Sequence, residues 1–314
     1  MSRKVSGLTV IECKYCYNKW NADVKDGRTV FWSEIKELEH REVDTYHESG
    51  VYNTRGVPVT VHDLDYENYK QYEPWEGVTR EISDTVCEAV KRGDVVMMPG
   101  GYCNYATPVA GGLQRALGKD KTIGVVYMDA HTDCRVPGRS SNVPVRFVSF
   151  PVSTLTGVAD YSLKEYRQKV CGLEDAILGE NFIASDIRIM DEESANNFVA
   201  ANIRWLDGSV FADGAAWKRE IDALAQRVDA IFLSLDVDIL KAEYIPSYFK
   251  AVPYGHDIDT VIRNVKTVMD TGKVAAYGLW CINFDLIDQH PEVTYDTVIR
   301  LMRAGLENWQ DTTI

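Results

Sequence analysis

Acidic residues recur at every second position in two short stretches of this chain. Asp129, His131 and Asp133 lie in Val-Val-Tyr-Met-Asp-Ala-His-Thr-Asp (125–133), and Asp236 and Asp238 lie in Ala-Ile-Phe-Leu-Ser-Leu-Asp-Val-Asp (230–238). An apolar run precedes each, the pattern of a buried strand. Alternate strand residues point the same way. The first stretch therefore aims two carboxylates and an imidazole at one place, and the second adds two more carboxylates. Four carboxylates cannot share a buried pocket as anions unless cations accompany them. A pair of divalent metal ions balances that charge. Asp is also common at helix starts. Capping explains one Asp per loop, but not an i, i+2 pair in both loops with a histidine between one of the pairs.

The elements that must position these residues alternate along the chain. Strand-like runs fall at 5–12, 57–62, 95–98, 122–128, 182–185, 230–235 and 274–280. Helical spacing falls at 79–92, 104–118, near 151–170, 192–201, 257–270 and 293–306, with loop and helix over 209–226 and a long loop at 134–150. Such alternation with buried strands predicts an α/β fold, a mainly parallel central sheet covered by helices on both faces. No linker or internal repeat interrupts it, so a single domain over 1–314 is expected. In open α/β sheets ligands sit outside the carboxyl ends of the strands. Both acidic stretches and Gly100-Gly101-Tyr102-Cys103 fall there.

The formal net charge of −13 argues against a nucleic-acid partner and against an anionic membrane surface. No apolar run is long enough to span a bilayer, and the first residues, Met-Ser-Arg-Lys-Val-Ser, lack the apolar stretch of a secretion signal. The cytosol is the expected compartment. The seven cysteines (13, 16, 87, 103, 134, 171, 281) are odd in number and dispersed, unlike a disulfide framework. Cys13 and Cys16 form a C-x-x-C with no second pair, and read as plain cysteines in or beside the first strand.

Asp-Ala-His-Thr-Asp (129–133) and Ser-Leu-Asp-Val-Asp (234–238) resemble, in order and separation, the two metal-binding signatures of the arginase (ureohydrolase) family. The resemblance extends from about Val95 to the final helix and implies the three-layer α/β/α fold of that family. It also implies two manganese ions, bridged by Asp129 and Asp236. Asp133 and the residue at position 103 would complete one ion, and His131 and Asp238 the other. Oxygen-rich sets with one imidazole suit a hard cation such as Mn²⁺. A water between two such ions becomes a hydroxide near neutral pH. In this family it attacks a guanidinium or amidine carbon. Association into a homo-oligomer is a further implication.

The chain departs from that pattern at four places. Cys103 stands where a histidine ligand is expected, as a softer ligand or as a small buried thiol beside the site. Val148, in Val148-Ser149-Phe150-Pro151, takes the place of a proton-relaying histidine, and His256 on another loop is a candidate replacement. The loop at 134–146 carries Arg135, Arg139 and Arg146 in place of the residues that grip free arginine. Asp191 aligns with a residue that holds the substrate's amine, or else caps the following helix. Asn283 aligns with a guanidinium-clamping glutamate, with Asp285 two places on as a substitute.

Together these features predict a metal-dependent hydrolase of linear amidines with a substrate other than free L-arginine. Arginine within a peptide, N-hydroxyarginine and agmatine-like amines are the candidates. An aromatic-rich N-terminal region (Trp20, Trp32, Tyr46, Tyr52, Tyr66, Tyr69, Tyr72, Trp75) offers either a peptide surface or core. The alternative is a metal-binding homologue that has lost turnover and acts as a binding protein.

Overall fold

The apolar runs assemble into one eight-stranded sheet in which every pairing is parallel. Its strands are β1 (Gly7–Glu12), β2 (Val59–Asp63), β3 (Asp94–Pro99), β4 (Ile123–Met128), β5 (Phe182–Ser185), β6 (Arg204–Leu206), β7 (Ala230–Asp236) and β8 (Val274–Trp280). They lie in the order β6-β5-β4-β7-β8-β3-β1-β2. This computed structural model describes residues 5–13, 15–16, 21–32, 36–37, 41–65, 67–139, 145–247, 252–282 and 290–309. The interior strands β3, β4, β7 and β8 are buried at every position, which is why they read as unbroken apolar runs. The edge strand β2 exposes part of its length, and its sequence is correspondingly mixed. Because β4, β7, β8 and β3 are neighbours, their carboxyl ends form one continuous rim.

Helices cover both faces, giving the expected three-layer α/β/α fold. On one face, α2 (Pro74–Arg92) and α3 (Ala106–Leu117) pack Ile82, Val86, Val109 and Leu113 against Val96, Val125 and Phe232. On the other, α1 (Arg41–Ser49), α8 (Gly214–Ala225), α9 (Ile258–Met269) and α10 (Pro291–Asn308) bury Tyr46, Trp217, Val261, Val265 and Leu301 against Val95, Ile231 and Leu233. The connecting helices are α4 (Pro151–Leu155), α5 (Asp160–Glu165), α6 (Glu192–Ala200) and α7 (Gly208–Ala212). Among the described residues, no helix is long and apolar enough to cross a membrane.

Several boundaries differ from the sequence reading. Helix α2 begins at Pro74, whose fixed φ suits a first helical turn. The helix expected near 151–170 is broken into α4 and α5, with Gly157 at φ +74° between them, and ends in a π turn at Tyr166–Val170. Elements not anticipated include α1, β6, the short pair Tyr15–Cys16 with Lys36–Glu37, and an antiparallel hairpin of Asn21–Lys25 with Arg28–Trp32, to which Val145–Arg146 adds a third strand. That hairpin turns on Asp26-Gly27, both at positive φ, the pairing that a two-residue primed turn demands. The described N-terminal aromatics are mostly core. Tyr46, Tyr52 and Trp75 are buried, and Trp75 stacks on Phe31 at 4.6 Å between ring centres. Trp20, Tyr66 and the side chain of Trp32 lie outside the described residues. Cys13 follows β1 directly and is buried.

Close approach at α3 depends on glycine. A Cβ on Gly111 would lie 1.9 Å from the Cys171 carbonyl oxygen, so any side chain must push the two segments apart. Gly111→Ala is therefore expected to destabilise the fold by roughly 1–3 kcal/mol or more, seen as a lower denaturation midpoint in urea. An unchanged midpoint would contradict this packing.

Candidate metal centre

The rim formed by β4, β7, β8 and β3 carries the chemistry. Asp129 follows β4 directly, and Asp236 is the last residue of β7. Asp236 caps a short 3₁₀ turn, Val237–Ile239, that contains Asp238. Each of the three carboxylates anchors one oxygen on a backbone amide. Asp129 Oδ1 accepts from His131 N at 2.6 Å, Asp236 Oδ1 from Asp238 N at 2.9 Å, and Asp238 Oδ1 from Ala130 N at 3.0 Å. These bonds stitch the β4 loop to the β7 turn and leave the second oxygens for other work. Asp238 Oδ2 lies 2.6 Å from His131 Nδ1, and Asp236 Oδ2 accepts from the Cys103 thiol at 2.8 Å. Asp129 Oδ2 is buried and has no hydrogen-bond partner.

Asp133 reaches the same place from a strained backbone, at φ +43°. Left-handed conformations are uncommon outside glycine and concentrate at functional sites. Its Oδ2 accepts from the Tyr127 hydroxyl at 2.8 Å. Tyr127 sits two positions before Asp129 on β4 and so shares its side of the sheet; the same period-2 pattern that flagged Asp129 could have flagged it.

A second unanticipated residue is Cys281, the first beyond β8. Gly100 N donates to Leu279 O at 2.9 Å and Cys281 N to Gly101 O at 2.8 Å, so the turn after β3 is zipped to the end of β8. That turn needs its glycine: Gly101 has φ +82°, and a Cβ there would come within 2.5 Å of the Tyr105 ring. Cys281 has φ +63°, and its Sγ lies 3.5 Å from Cys103 Sγ. A lone cysteine with no motif around it gave the sequence no signal beyond its place at a strand's carboxyl end.

Burial dominates the electrostatics. It raises the carboxyl groups of Asp129, Asp133 and Asp236, and their acidic neighbours add to it. Asp133 is pushed up to about 6 and Asp236 to about 8. Burial alone would lower the His131 imidazole, but its bonds to Asp129 and Asp238 outweigh that and push it up to about 12. Burial likewise raises the Cys103 and Cys281 thiols. The cluster thus favours a neutralising partner, a proton or a divalent cation.

The donors fall into three overlapping sets whose ligand atoms lie within 4.8 Å of one another: Asp129, His131 and Asp238; Cys103, Asp129 and Asp133; and Cys103, Asp236 and Cys281. All six residues expected as ligands are thereby brought together. The unpartnered Asp129 Oδ2 and the hard oxygen donors fit a pair of divalent metal ions.

The remaining candidates lie elsewhere or outside the described residues. His256 is not among these sets: its Nε2 is 3.0 Å from Asp186 Oδ1, and its ring packs on Phe211 at 4.6 Å. Asp186 also pairs with Arg188, whose guanidinium donates to Asp238 O at 2.8 Å. His256, Asp186 and Arg188 therefore support the β7 turn from behind. Asp191 caps α6, accepting from Ser194 N at 2.8 Å, and pairs with Arg135 at 2.5 Å. Arg139 donates to Asn197 at 2.7 Å. Asn283 and Asp285 lie outside the described residues.

The model of the Arginase family matches residues 31–304. An arginase of Entamoeba histolytica is 23% identical over 245 residues, covering 75% of each chain. A formimidoylglutamase of Salmonella typhi is 20% identical over 239 residues, covering 75% of this chain and 66% of its own. In three dimensions, the crystal structure of Entamoeba histolytica arginase in complex with L-ornithine has a TM-score of 0.75 at 17% identity, over 96% of this chain and 99% of that one. The formimidoylglutamase of Bacillus subtilis has a TM-score of 0.69 at 15% identity, over 98% and 88%. The family match spans most of the sequence and includes every candidate ligand described above: this chain belongs to the arginase family.

Proposed function

We propose that this protein is a dinuclear manganese hydrolase that cleaves a guanidino or amidino C–N bond in a substrate other than free L-arginine. The observation that carries the reading is the buried, unpartnered Asp129 Oδ2 beside Asp236, two carboxyl groups that burial and mutual repulsion raise. When bound, such ions would lower the pKa of water to give a nucleophile at neutral pH and would polarise the substrate's C–N group. Asp129 and Asp236 would be shared between them, with Cys103 and Asp133 on one side and His131 and Asp238 on the other.

The chain's own residues set the rest. The Tyr127 hydroxyl fixes one oxygen of Asp133 and leaves the other to take a proton from the nucleophile and return it to the leaving amine. We assign that transfer to Asp133 and not to His256, which joins none of the three ligand sets. The exposed Arg135–Asp191 pair beside the β4 loop supports a substrate with its own charged group, an amine for Asp191 or a carboxylate for Arg135. Clamping of the guanidine falls to Asn283 or Asp285. Arginine within a peptide, N-hydroxyarginine and agmatine-like amines remain the candidate substrates. By resemblance we also propose a cytosolic homo-oligomer built from a single domain over 1–314.

Relatives named both arginase and formimidoylglutamase favour a second substrate class, a formimino group. Val148 in place of the relay histidine favours a third reading, a metal-loaded protein without turnover. Product analysis separates them. Manganese-loaded protein is incubated with each guanidine, an arginine-containing peptide and a formimino amino acid. Urea or a substituted urea is the expected product. Formamide or ammonia would move the substrate to the formimino class. No product from any of them would overturn hydrolysis.

A further inference from the structure

The two sides of the centre differ in chemistry. On one, Asp129, His131 and Asp238 offer two carboxylates and an imidazole. On the other, Cys103, Asp236 and Cys281 converge with their ligand atoms within 4.8 Å. Each of these three is only 3% exposed. Cys103 Sγ lies 2.8 Å from Asp236 Oδ2 and 3.5 Å from Cys281 Sγ. The backbone holds this arrangement in place. The Gly100–Leu279 and Cys281–Gly101 hydrogen bonds fix the β3 turn to the β8 end, and the left-handed conformation of Cys281 turns its side chain off the strand's regular alternation. Asp129, which carries the unpartnered oxygen, shares a ligand set with Cys103, so Cys103 links the sulfur side to that oxygen.

We propose that Cys281 is a metal ligand which, with Cys103 and Asp236, gives one half of the centre a two-sulfur, one-carboxylate donor set that takes a thiophilic divalent cation, zinc above all, in preference to manganese. Thiolates select zinc, whereas carboxylates with a single imidazole accept manganese. Each thiol releases its proton to bulk water as its sulfur–metal bond forms. The centre would then be mixed, with zinc on the sulfur side and manganese on the imidazole side. This deepens the dinuclear reading and rests on it.

The test is spectroscopic and does not depend on activity. Metal-free protein is loaded with one equivalent of zinc, and X-ray absorption at the zinc edge counts its sulfur neighbours. Two sulfurs are expected at about 2.3 Å. One sulfur or none overturns the role of Cys281. In parallel, cobalt(II) serves as a coloured substitute. Wild-type protein should give a thiolate-to-cobalt charge-transfer band, Cys281→Ser about half its intensity, and the Cys103→Ser/Cys281→Ser double variant none. Cys281→Ser should also weaken zinc by at least the 10–100-fold typical of losing a residue that merely supports a ligand. Cys103→His should move the preference back toward manganese. An undiminished cobalt band in Cys281→Ser overturns the proposal even if zinc binds. The two readings fail differently. Two ions bound with a single sulfur neighbour removes Cys281 alone, two ions bound without sulfur removes Cys103 as well, and no bound ion at all removes the dinuclear centre.

Discussion

Asp236→Ala should leave the centre unable to hold its pair of ions and should abolish turnover. This carboxylate sits where both halves of the site meet. Its Oδ1 holds the amide of Asp238, and its Oδ2 receives the thiol of Cys103. Removing it deletes a shared ligand and releases the 3₁₀ turn that aims Asp238 at His131. Transition-state stabilisation by bound metal is worth several kcal/mol. At about 1.4 kcal/mol per tenfold, activity should fall on the order of a thousandfold or more. The variant should still fold, because the deleted group is a raised, desolvated acid in a cluster of like charges. Elemental analysis beside circular dichroism checks both statements. A folded variant that keeps two ions would show that Asp236 is no bridge.

Chelation should have the second largest effect. An ion that binds the folded chain and not the unfolded one stabilises by about 2.7 kcal/mol at a hundred times its dissociation constant, and by about 4.1 kcal/mol at a thousand times. The site lies at the joint of four neighbouring strands, so that energy is coupled to the whole sheet. For a chain of this size, each kcal/mol shifts the melting temperature by roughly 2 °C. Removing both ions should therefore lower it by several degrees, and manganese or zinc should restore it, whereas magnesium should restore little. A melting temperature unmoved by chelator and by added metal would mean that no ion is bound in the native protein.

What the sequence disclosed, and what it withheld, follows from how local each signal is. Asp129, His131, Asp133, Asp236 and Asp238 were legible as a local i, i+2 pattern after an apolar run, although only Asp236 lies on a strand: Asp129 follows β4, Asp133 is left-handed and Asp238 sits in a 3₁₀ turn. The parallel sheet was legible for the same reason, since its buried strands are uninterrupted apolar runs. Cys281 was not, because its meaning comes from β8 lying beside β3, a neighbour relation between segments far apart in sequence. The surroundings of His256 were not legible on similar grounds. An isolated loop histidine says nothing about its partner, and pairing of its backbone with Leu240 delivers it to Asp186. Helix α1 and strand β6 are short and carry too few apolar residues for a clear period, while the Asp26-Gly27 turn was a signal available and unused. Asp191 proved to be a helix cap paired with an arginine, a role its surroundings in the sequence allow equally with amine binding.

Anomalous scattering from crystals grown with excess manganese tests the central claim most directly, because it reports cations at the carboxylate cluster without regard to turnover. Two peaks are predicted, one contacting His131 and Asp238, the other Cys103 and Asp133, with Asp129 and Asp236 touching both. A well-ordered cluster with no peak at all would contradict the account.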